Sequence, residues 1–281
     1  MSATATRARV VQAVAYLCLW LVAAAVILPV LAVVCVIVLR GGPGLSWQMF
    51  AVVEEGLLPA IVGTICLVGL TAAIAAPLGV AAAVYLSEYA RPGPLVRLVR
   101  LAIVNLAGVP SVVYGLFGLG LFVVLLRFGR CLLAGACTLA LLVLPLVISA
   151  SEEALRQVPA RLRAASFALG ASRWQTVRRV VLPNALPGII TGLILSLSRA
   201  AGETAPIMFT AAYYSLSEPF PRSVFDEVLV LPYQLFVMAT EIPGIAEERK
   251  WATALVLIAL VLGLNLFAVI IRARLRRRQR W

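Results

Sequence analysis

The chain has no histidine and a single lysine, Lys250. Without histidine there is no imidazole general base, no HExxH zinc site and no histidine-ligated haem. Lys250 follows Glu247-Glu248-Arg249 and precedes Trp251. A P-loop places its lysine after glycine and before serine or threonine, so ATP hydrolysis by that route is excluded. Charge is also scarce. Asp, Glu, Lys and Arg make up 13% of residues, against about 25% in soluble domains. The five cysteines, Cys18, Cys35, Cys66, Cys131 and Cys137, form no CxxC pair and read as small buried apolar residues. Nothing calls for a metal or a cofactor. The acidic pairs Glu152-Glu153 and Glu247-Glu248 read as solvated loop faces.

What the chain does have is apolar length. Hydrophobic residues are 63% of 281, and the mean hydropathy is +1.04. That composition excludes a water-soluble enzyme and a disordered chain. Uncharged runs cover 10–39, 56–87, 101–126, 131–150 and 252–271, and 186–213 is apolar except for Arg199 and Glu203. Each reaches the ~20 residues that cross ~30 Å of hydrocarbon. The expectation is an all-α polytopic membrane protein forming one transmembrane domain. Its six transmembrane helices are expected at about 13–39, 60–86, 101–126, 131–150, 187–213 and 252–271. Arg7 and Arg9 precede the first run, which is about twice the length of a signal-peptide core. It reads as a retained span.

The net charge of +12 is explained by topology rather than by nucleic acid. With the N-terminus in the cytoplasm, seventeen basic residues fall on inner segments, six on outer ones, and Arg199 within the membrane. That bias follows the positive-inside rule and puts both termini in the cytoplasm. The C-terminal RARLRRRQR run reads as an anchor to anionic lipid. The apolar stretch 228–239 contains Pro232 and is too short to span. It reads as an interfacial or re-entrant helix within an outer loop at 214–251.

The inner segment 151–186 is too long for a turn and too polar for a span. Helices are expected at 152–158, ended by Pro159, from Ala160 to Gly170, and over 172–181, ending at Leu182-Pro183. Gly170 suits a helix C-terminus. Two readings fit this segment: a helical hairpin lying on the inner leaflet, or a docking element for a cytoplasmic partner.

Arg199 lies about 12 residues past Pro187, hence ~18 Å along a helix and near the bilayer centre. A charge there costs at least ~2.5–3.5 kcal/mol on insertion scales, so it is expected to face protein or water. Arg199 and Glu203 are four apart, and continuing their face along one helix adds Gly192, Ser196, Pro206 and Thr210. One reading is an ion pair that locks helices together. The other is an anion path, because a guanidinium fork matches oxyanions and stays charged. Asn105, Ser111 and Tyr114 flank Gly108 and Pro110, where the third span is able to break beside a cavity. Asn105 and Ser111 are added to Arg199, Glu203, Ser196 and Thr210 as candidate path residues. Thr64, Thr71 and Asn265 read as interhelical hydrogen-bond partners.

A family resemblance rests on particular residues. Gly170, nine residues, then Val180-x-Leu182-Pro183 resembles the "EAA…G…I-LP" loop of permease subunits of ATP-binding-cassette (ABC) importers. In those proteins the loop forms a coupling helix seated in a cleft of the ATPase subunit. The triplet position is Ala164-Ala165-Ser166 here, so Ala164 stands where the family has glutamate. The stretch Gly108-Val-Pro-Ser-Val-Val-Tyr-Gly-Leu-Phe-Gly118 and the stretch Arg199-Ala-Ala-Gly-Glu-Thr-Ala-Pro206 look like phosphate-importer permeases. Leu231-Pro-Tyr-Gln-Leu235 and the WATALVLI run from Trp251 are similar to the PstA type rather than its PstC partner.

The resemblance implies a type I ABC importer permease fold in a prokaryotic inner membrane, inorganic phosphate as cargo and no catalysis by this chain. It implies coupling through Ala164, Ala165, Ser166, Gly170, Leu182 and Pro183. Implied partners are a second permease subunit of PstC type, a cytoplasmic ATP-binding dimer of PstB type and an extracytoplasmic phosphate-binding protein of PstS type. An Arg also suits sulfate or molybdate. A stand-alone secondary transporter is the competitor from another class, although six spans without a visible repeat are few. A membrane enzyme finds no nucleophile–base set.

Overall fold

The computed structural model describes residues 3–51, 56–214 and 220–277. Arg278 and Arg280 of the basic tail lie outside them. The chain divides into two compact units, one of Met1–Ser46 with Ile245–Leu255 and one of Trp47–Gly244 with Val256–Trp281.

The first unit is built on helix α1, Ala3–Gly41. Its 30 residues from Gln12 to Gly41 are long and apolar enough to cross a bilayer. Side chains all round it are open, as at Leu19, Trp20 and Val33. A helix apolar on every side needs hydrocarbon or another subunit around it. Cys18 and Cys35 are exposed for the same reason, which corrects the expectation that the cysteines are buried. Near its end, a Cβ on Gly41 would lie 2.6 Å from the Trp251 carbonyl oxygen. The Arg40 guanidinium stacks 5.3 Å from the Trp251 ring centroid.

The second unit holds the rest in order. Helix α2 is Leu58–Tyr89, whose last turn, Tyr85–Tyr89, is a π turn. Helices α3, Pro94–Ala107, and α4, Ser111–Leu125, follow, and then α5, Leu132–Arg156. Helix α6 is Ala160–Ala168, and α7 is Arg173–Ala201 with a π turn at Val177–Val181. Helices α8, Ala205–Thr210, α9, Leu231–Thr240, and α10, Glu247–Arg277, follow, α10 beginning in the first unit; a single helical turn at Gln48–Ala51 precedes α2. No β-strand occurs among the described residues; Ala212 and Val228 make one isolated bridge.

Helix α5 is the centre of the unit. Leu139, Val143 and Val147 are fully buried and share a core with Leu67 and Ala75 of α2, Tyr114 of α4 and Ile207 of α8. Small residues let the backbones close, as expected for helices packing without a hydrophobic drive between them. A Cβ on Gly79 would lie 2.6 Å from Val147 Cγ1, and one on Gly188 2.7 Å from Ala154 Cβ. Thr64 accepts a hydrogen bond from the Leu231 N–H at 3.0 Å and so joins α2 to α9. Thr71 instead bonds the Leu67 carbonyl of its own helix. Leu231, Pro232 and Val237 of the short α9 are buried.

The helix boundaries differ from expectation in three places, each with a local cause. The third apolar run is no single rod. Helix α3 begins at Pro94 and ends at Ala107, and α4 leaves at 100° to it. Gly108 caps α3, Pro110 lacks an N–H, and the Tyr114 hydroxyl donates to the Leu106 carbonyl across the break at 2.9 Å. Residues 152–156 are the last turn of α5 rather than a separate helix, because Pro159 stops the helix only after them. The 172–181 helix does not end at Leu182-Pro183 but runs on to Ala201. The π turn lets the Leu182 N–H reach back to Val177, and the Asn184 amide donates to Val180, so the chain passes Pro183 without a break.

Candidate functional site

The charged pair sits where α7 ends. Gly202 and Glu203 close tight turns onto the Arg199 and Ala200 carbonyls at 3.1 and 3.2 Å. Helix α8 then restarts with Pro206 in its first turn. Arg199 Nε lies 3.5 Å from Glu203 Oε1. The arginine side chain is 51% exposed and the glutamate 16%. Half of the arginine side chain is therefore open, while the glutamate side chain that pairs with it is mostly enclosed.

This break corrects the single face drawn through the region. Gly192, Ser196 and Arg199 lie on α7, whereas Pro206 and Thr210 belong to α8. Ser196 is buried and its hydroxyl donates to the Gly192 carbonyl. A Cβ on Gly192 would run into Ala150 Cβ of α5. Thr210 is fully buried; its hydroxyl donates to the Pro206 carbonyl and its own carbonyl accepts from the Cys131 N–H. Ser196 and Thr210 thus pack and do not share the open surface of Arg199. Asn105 is exposed at the end of α3, and Ser111, half-buried, begins α4.

The glycine-rich stretch at 108–118 and the end of the Arg199–Pro206 stretch, some 90 positions apart, meet directly. A Cβ on Gly115 would lie 2.9 Å from Pro206 Cα, 2.9 Å from Phe209 Cδ2 and 3.1 Å from the Ala205 carbonyl oxygen. Gly118 likewise sits against Thr138 of α5. Helix α4 therefore braces the turn that carries the charged pair.

The inner hairpin is built by α6 and the start of α7. Gly170 has φ +79°. The Ala171 N–H bonds Ser166 O and the Gly170 N–H bonds Phe167 O, a Schellman closure. Ser172 caps α7 through a reciprocal exchange with Gln175. The Ser166 and Thr176 hydroxyls bond each other at 2.9 Å and join the two arms. Ala164, Ala165 and Pro183 are exposed and Leu182 is half-buried. Phe167, Leu169 and Trp174 form an open apolar tip, with Leu169 89% exposed. An L-residue in the left-handed region costs about 1 kcal/mol. Gly170→Ala is therefore expected to lower thermal stability by about that amount, while Gly69→Ala, in open helical backbone, raises it by a similar amount. Thermal melting of the detergent-solubilised protein checks both.

A cluster beneath the hairpin went unread in the sequence. Arg163 Nη2 lies 2.7 Å from Glu88 Oε1, and Arg100 Nη2 lies 2.8 Å from Glu152 Oε1. Glu152 also pairs with Arg156 at 2.6 Å and is only 12% exposed, so it is no solvated loop residue. Glu153 in α5 and Glu247 and Glu248 in α10 are helical too. The usable signal was that Glu88 is the lone acidic residue between Glu55 and Glu152.

Residues 75–281 match the family described as binding-protein-dependent transport system inner membrane component. The chain belongs to that family. Among its members with curated names, the phosphate transport system permease protein PstA 1 of Mycobacterium tuberculosis is 41% identical over 226 residues, covering 80% of this chain and 72% of the relative. PstA of Mycobacterium leprae is 40% identical over 224 residues, with 79% and 72% covered. A probable ABC transporter permease protein, YqgI, of Bacillus subtilis is 34% identical over 250 residues, with 83% and 85% covered.

Solved structures agree on the fold. The inward-facing MetNI methionine ABC transporter aligns with TM-score 0.61 at 22% identity, over 82% of this chain and 99% of that one. A bacterial alginate ABC importer aligns with TM-score 0.62 at 13% identity, over 93% and 96%. This member of the family is thus a helical, multi-pass membrane protein with the type I ABC importer permease fold. Among the described residues, five helices are long and apolar enough to cross a membrane, and the bent α3–α4 pair is the sixth candidate.

Proposed function

We propose that the chain is the PstA-type permease subunit of an ATP-driven importer of inorganic phosphate in a prokaryotic inner membrane. The observation that carries the reading is the half-open Arg199 held at a helix break, in a chain 41% identical to a permease named for phosphate transport. The guanidinium offers paired N–H donors to an oxyanion, and its charge does not titrate away. Glu203 orients the empty arginine and accepts a hydrogen bond from a protonated phosphate oxygen. Arg199 and Glu203 form the core of this half of the path, with Asn105 and Ser111 farther along it. The other half comes from a second permease of PstC type. Both termini lie in the cytoplasm.

The chain itself hydrolyses nothing in this reading. The α6–α7 hairpin docks a PstB-type ATPase dimer, using the open tip at Phe167, Leu169 and Trp174 and the exposed Ala164 and Ala165. Gly170 sets the turn, and the unbroken passage through Leu182 and Pro183 joins the hairpin to the helix that carries Arg199 in its last turn. A PstS-type protein delivers phosphate on the outer side.

The test is uptake of radiolabelled phosphate by a strain lacking its other phosphate importers and supplied with this complex. Unlabelled phosphate is expected to compete, and equimolar sulfate or molybdate is not. Competition by sulfate or molybdate instead would assign the path to another oxyanion, and uptake without a co-purifying ATPase would make the chain a secondary transporter.

A further inference from the structure

Helices α5 and α7 are joined to the inner hairpin by the chain itself, α5 through residues 157–159 and α7 by continuity. Helix α2 is not. Its inner end meets the hairpin through side chains 75 positions apart in sequence. Arg163 of α6 donates from Nη2 to Glu88 Oε1 at 2.7 Å and from Nε to Oε2 at 3.3 Å. The same guanidinium donates to the Val158 carbonyl at 2.6 Å and the Leu155 carbonyl at 2.9 Å, at the C-terminus of α5. The Leu155 carbonyl also accepts from the Val158 N–H at 3.3 Å, and a cation is favoured at such a helix end. Arginine alone has a rigid fork with five donors able to hold two groups at once. Both partners are largely enclosed, Arg163 at 21% and Glu88 at 11% exposure.

The other arm of the hairpin touches the same turn of α2. Arg173, the first residue of α7, places its guanidinium 5.4 Å from the Tyr89 ring centroid. Glu88 and Tyr89 close the π turn Tyr85–Tyr89. That turn ends α2, with Ala90 beyond it already extended. The Ser166 and Thr176 hydroxyls tie the two arms of the hairpin together.

We propose that the π turn Tyr85–Tyr89 is the socket through which displacement of the hairpin is passed to α2, with Glu88 and Arg163 as its positioning residues. The inference rests on the hairpin being the ATPase-facing element. A push on the open tip carries α5 and α7 along covalently. It reaches α2 through Glu88–Arg163, through Arg173 over Tyr89, and through packing on α5, as at Gly79, and on α7, where Ala83 and Leu86 share a core with Val181 and Ala185; of these, the ion pair is the charged link. Breaking the ion pair should therefore loosen transport from hydrolysis without stopping hydrolysis.

The experiment uses the full complex, purified through a tag on this chain and reconstituted in liposomes. Phosphate transport and ATP hydrolysis are measured in the same vesicles. Glu88→Gln is expected to keep the co-purifying ATPase and its turnover while lowering phosphate moved per ATP by about fivefold, the scale of one ion pair. Glu88→Asp is expected to recover most of the ratio. Arg163→Lys keeps the charge and loses the fork, so it should lower the ratio as well. An unchanged ratio in Glu88→Gln overturns the proposal, and so does a loss of ATPase from the complex at an unchanged ratio, which marks a purely structural pair. If Glu88→Gln does not reach the membrane, Arg163→Lys against Glu88→Asp decides, and equal ratios overturn it. A wild-type complex that moves no phosphate refutes the proposed function instead, before any variant is compared.

Discussion

Replacing Arg199 with glutamine is expected to lower phosphate uptake between about ten- and a hundredfold, the span of a hydrogen bond to a charged group. Glutamine keeps an uncharged amide donor but is two atoms shorter and loses the charge and the fork. Its insertion into the bilayer is cheaper, so the variant should reach the membrane. Arg199→Lys is the informative companion. It keeps the charge beside Glu203, 3.5 Å from the arginine in the native chain, and lacks the planar pair of donors. Intermediate uptake is expected for it. The measurement is the initial rate of radiolabelled uptake, scaled to the amount of subunit in the membrane. Wild-type rates in Arg199→Gln would remove the guanidinium from the path and leave the ion pair as a helix lock.

The second large effect is steric. Gly115→Val adds a Cβ 2.9 Å from Pro206 Cα and 2.9 Å from Phe209 Cδ2, before its two methyl groups are counted. The Phe209 ring is able to rotate away, but the Pro206 backbone is not. Overpacking of this kind costs about 3 kcal/mol. It falls on the turn that begins α8, three residues after Glu203. The variant is expected to melt well below wild type in detergent and to lose at least about tenfold in uptake, since a displacement of ~1 Å at a binding constellation has effects of that order. Gly120→Val is the control, because nothing lies within 4 Å of a Cβ there. Equal melting of the two variants would mean that α4 does not brace the α7–α8 turn.

Local chemistry explains why some features were readable from residues alone. Composition demanded a bilayer, because 63% apolar residues cannot be hidden inside 281 residues. Gly170 announced the end of α6, since a left-handed φ of +79° is nearly free only for glycine. Gly108 and Pro110 announced a weak point in the third run. The lone charges Arg199 and Glu203 stood out because hydrocarbon makes ions expensive.

What stayed hidden depends on distance in the chain. The 100° angle between α3 and α4 is set by what Gly115, Gly118 and Tyr114 touch on α5, α8 and α3, and no run of residues encodes it. The π turn that carries α7 past Pro183 has no periodic signature. The burial of Ser196 and Thr210 follows from the close approach of α5, which small residues permit on any face. The pairing of Glu88 with Arg163 joins residues 75 positions apart. Sequence by itself determined that the chain crosses a membrane, where its charges are costly and where α6 must turn, because solvation and backbone sterics act residue by residue. Only the tertiary structure decided which glycine faces which helix and which carboxylate holds which arginine, because those choices belong to surfaces that exist only after the helices have packed.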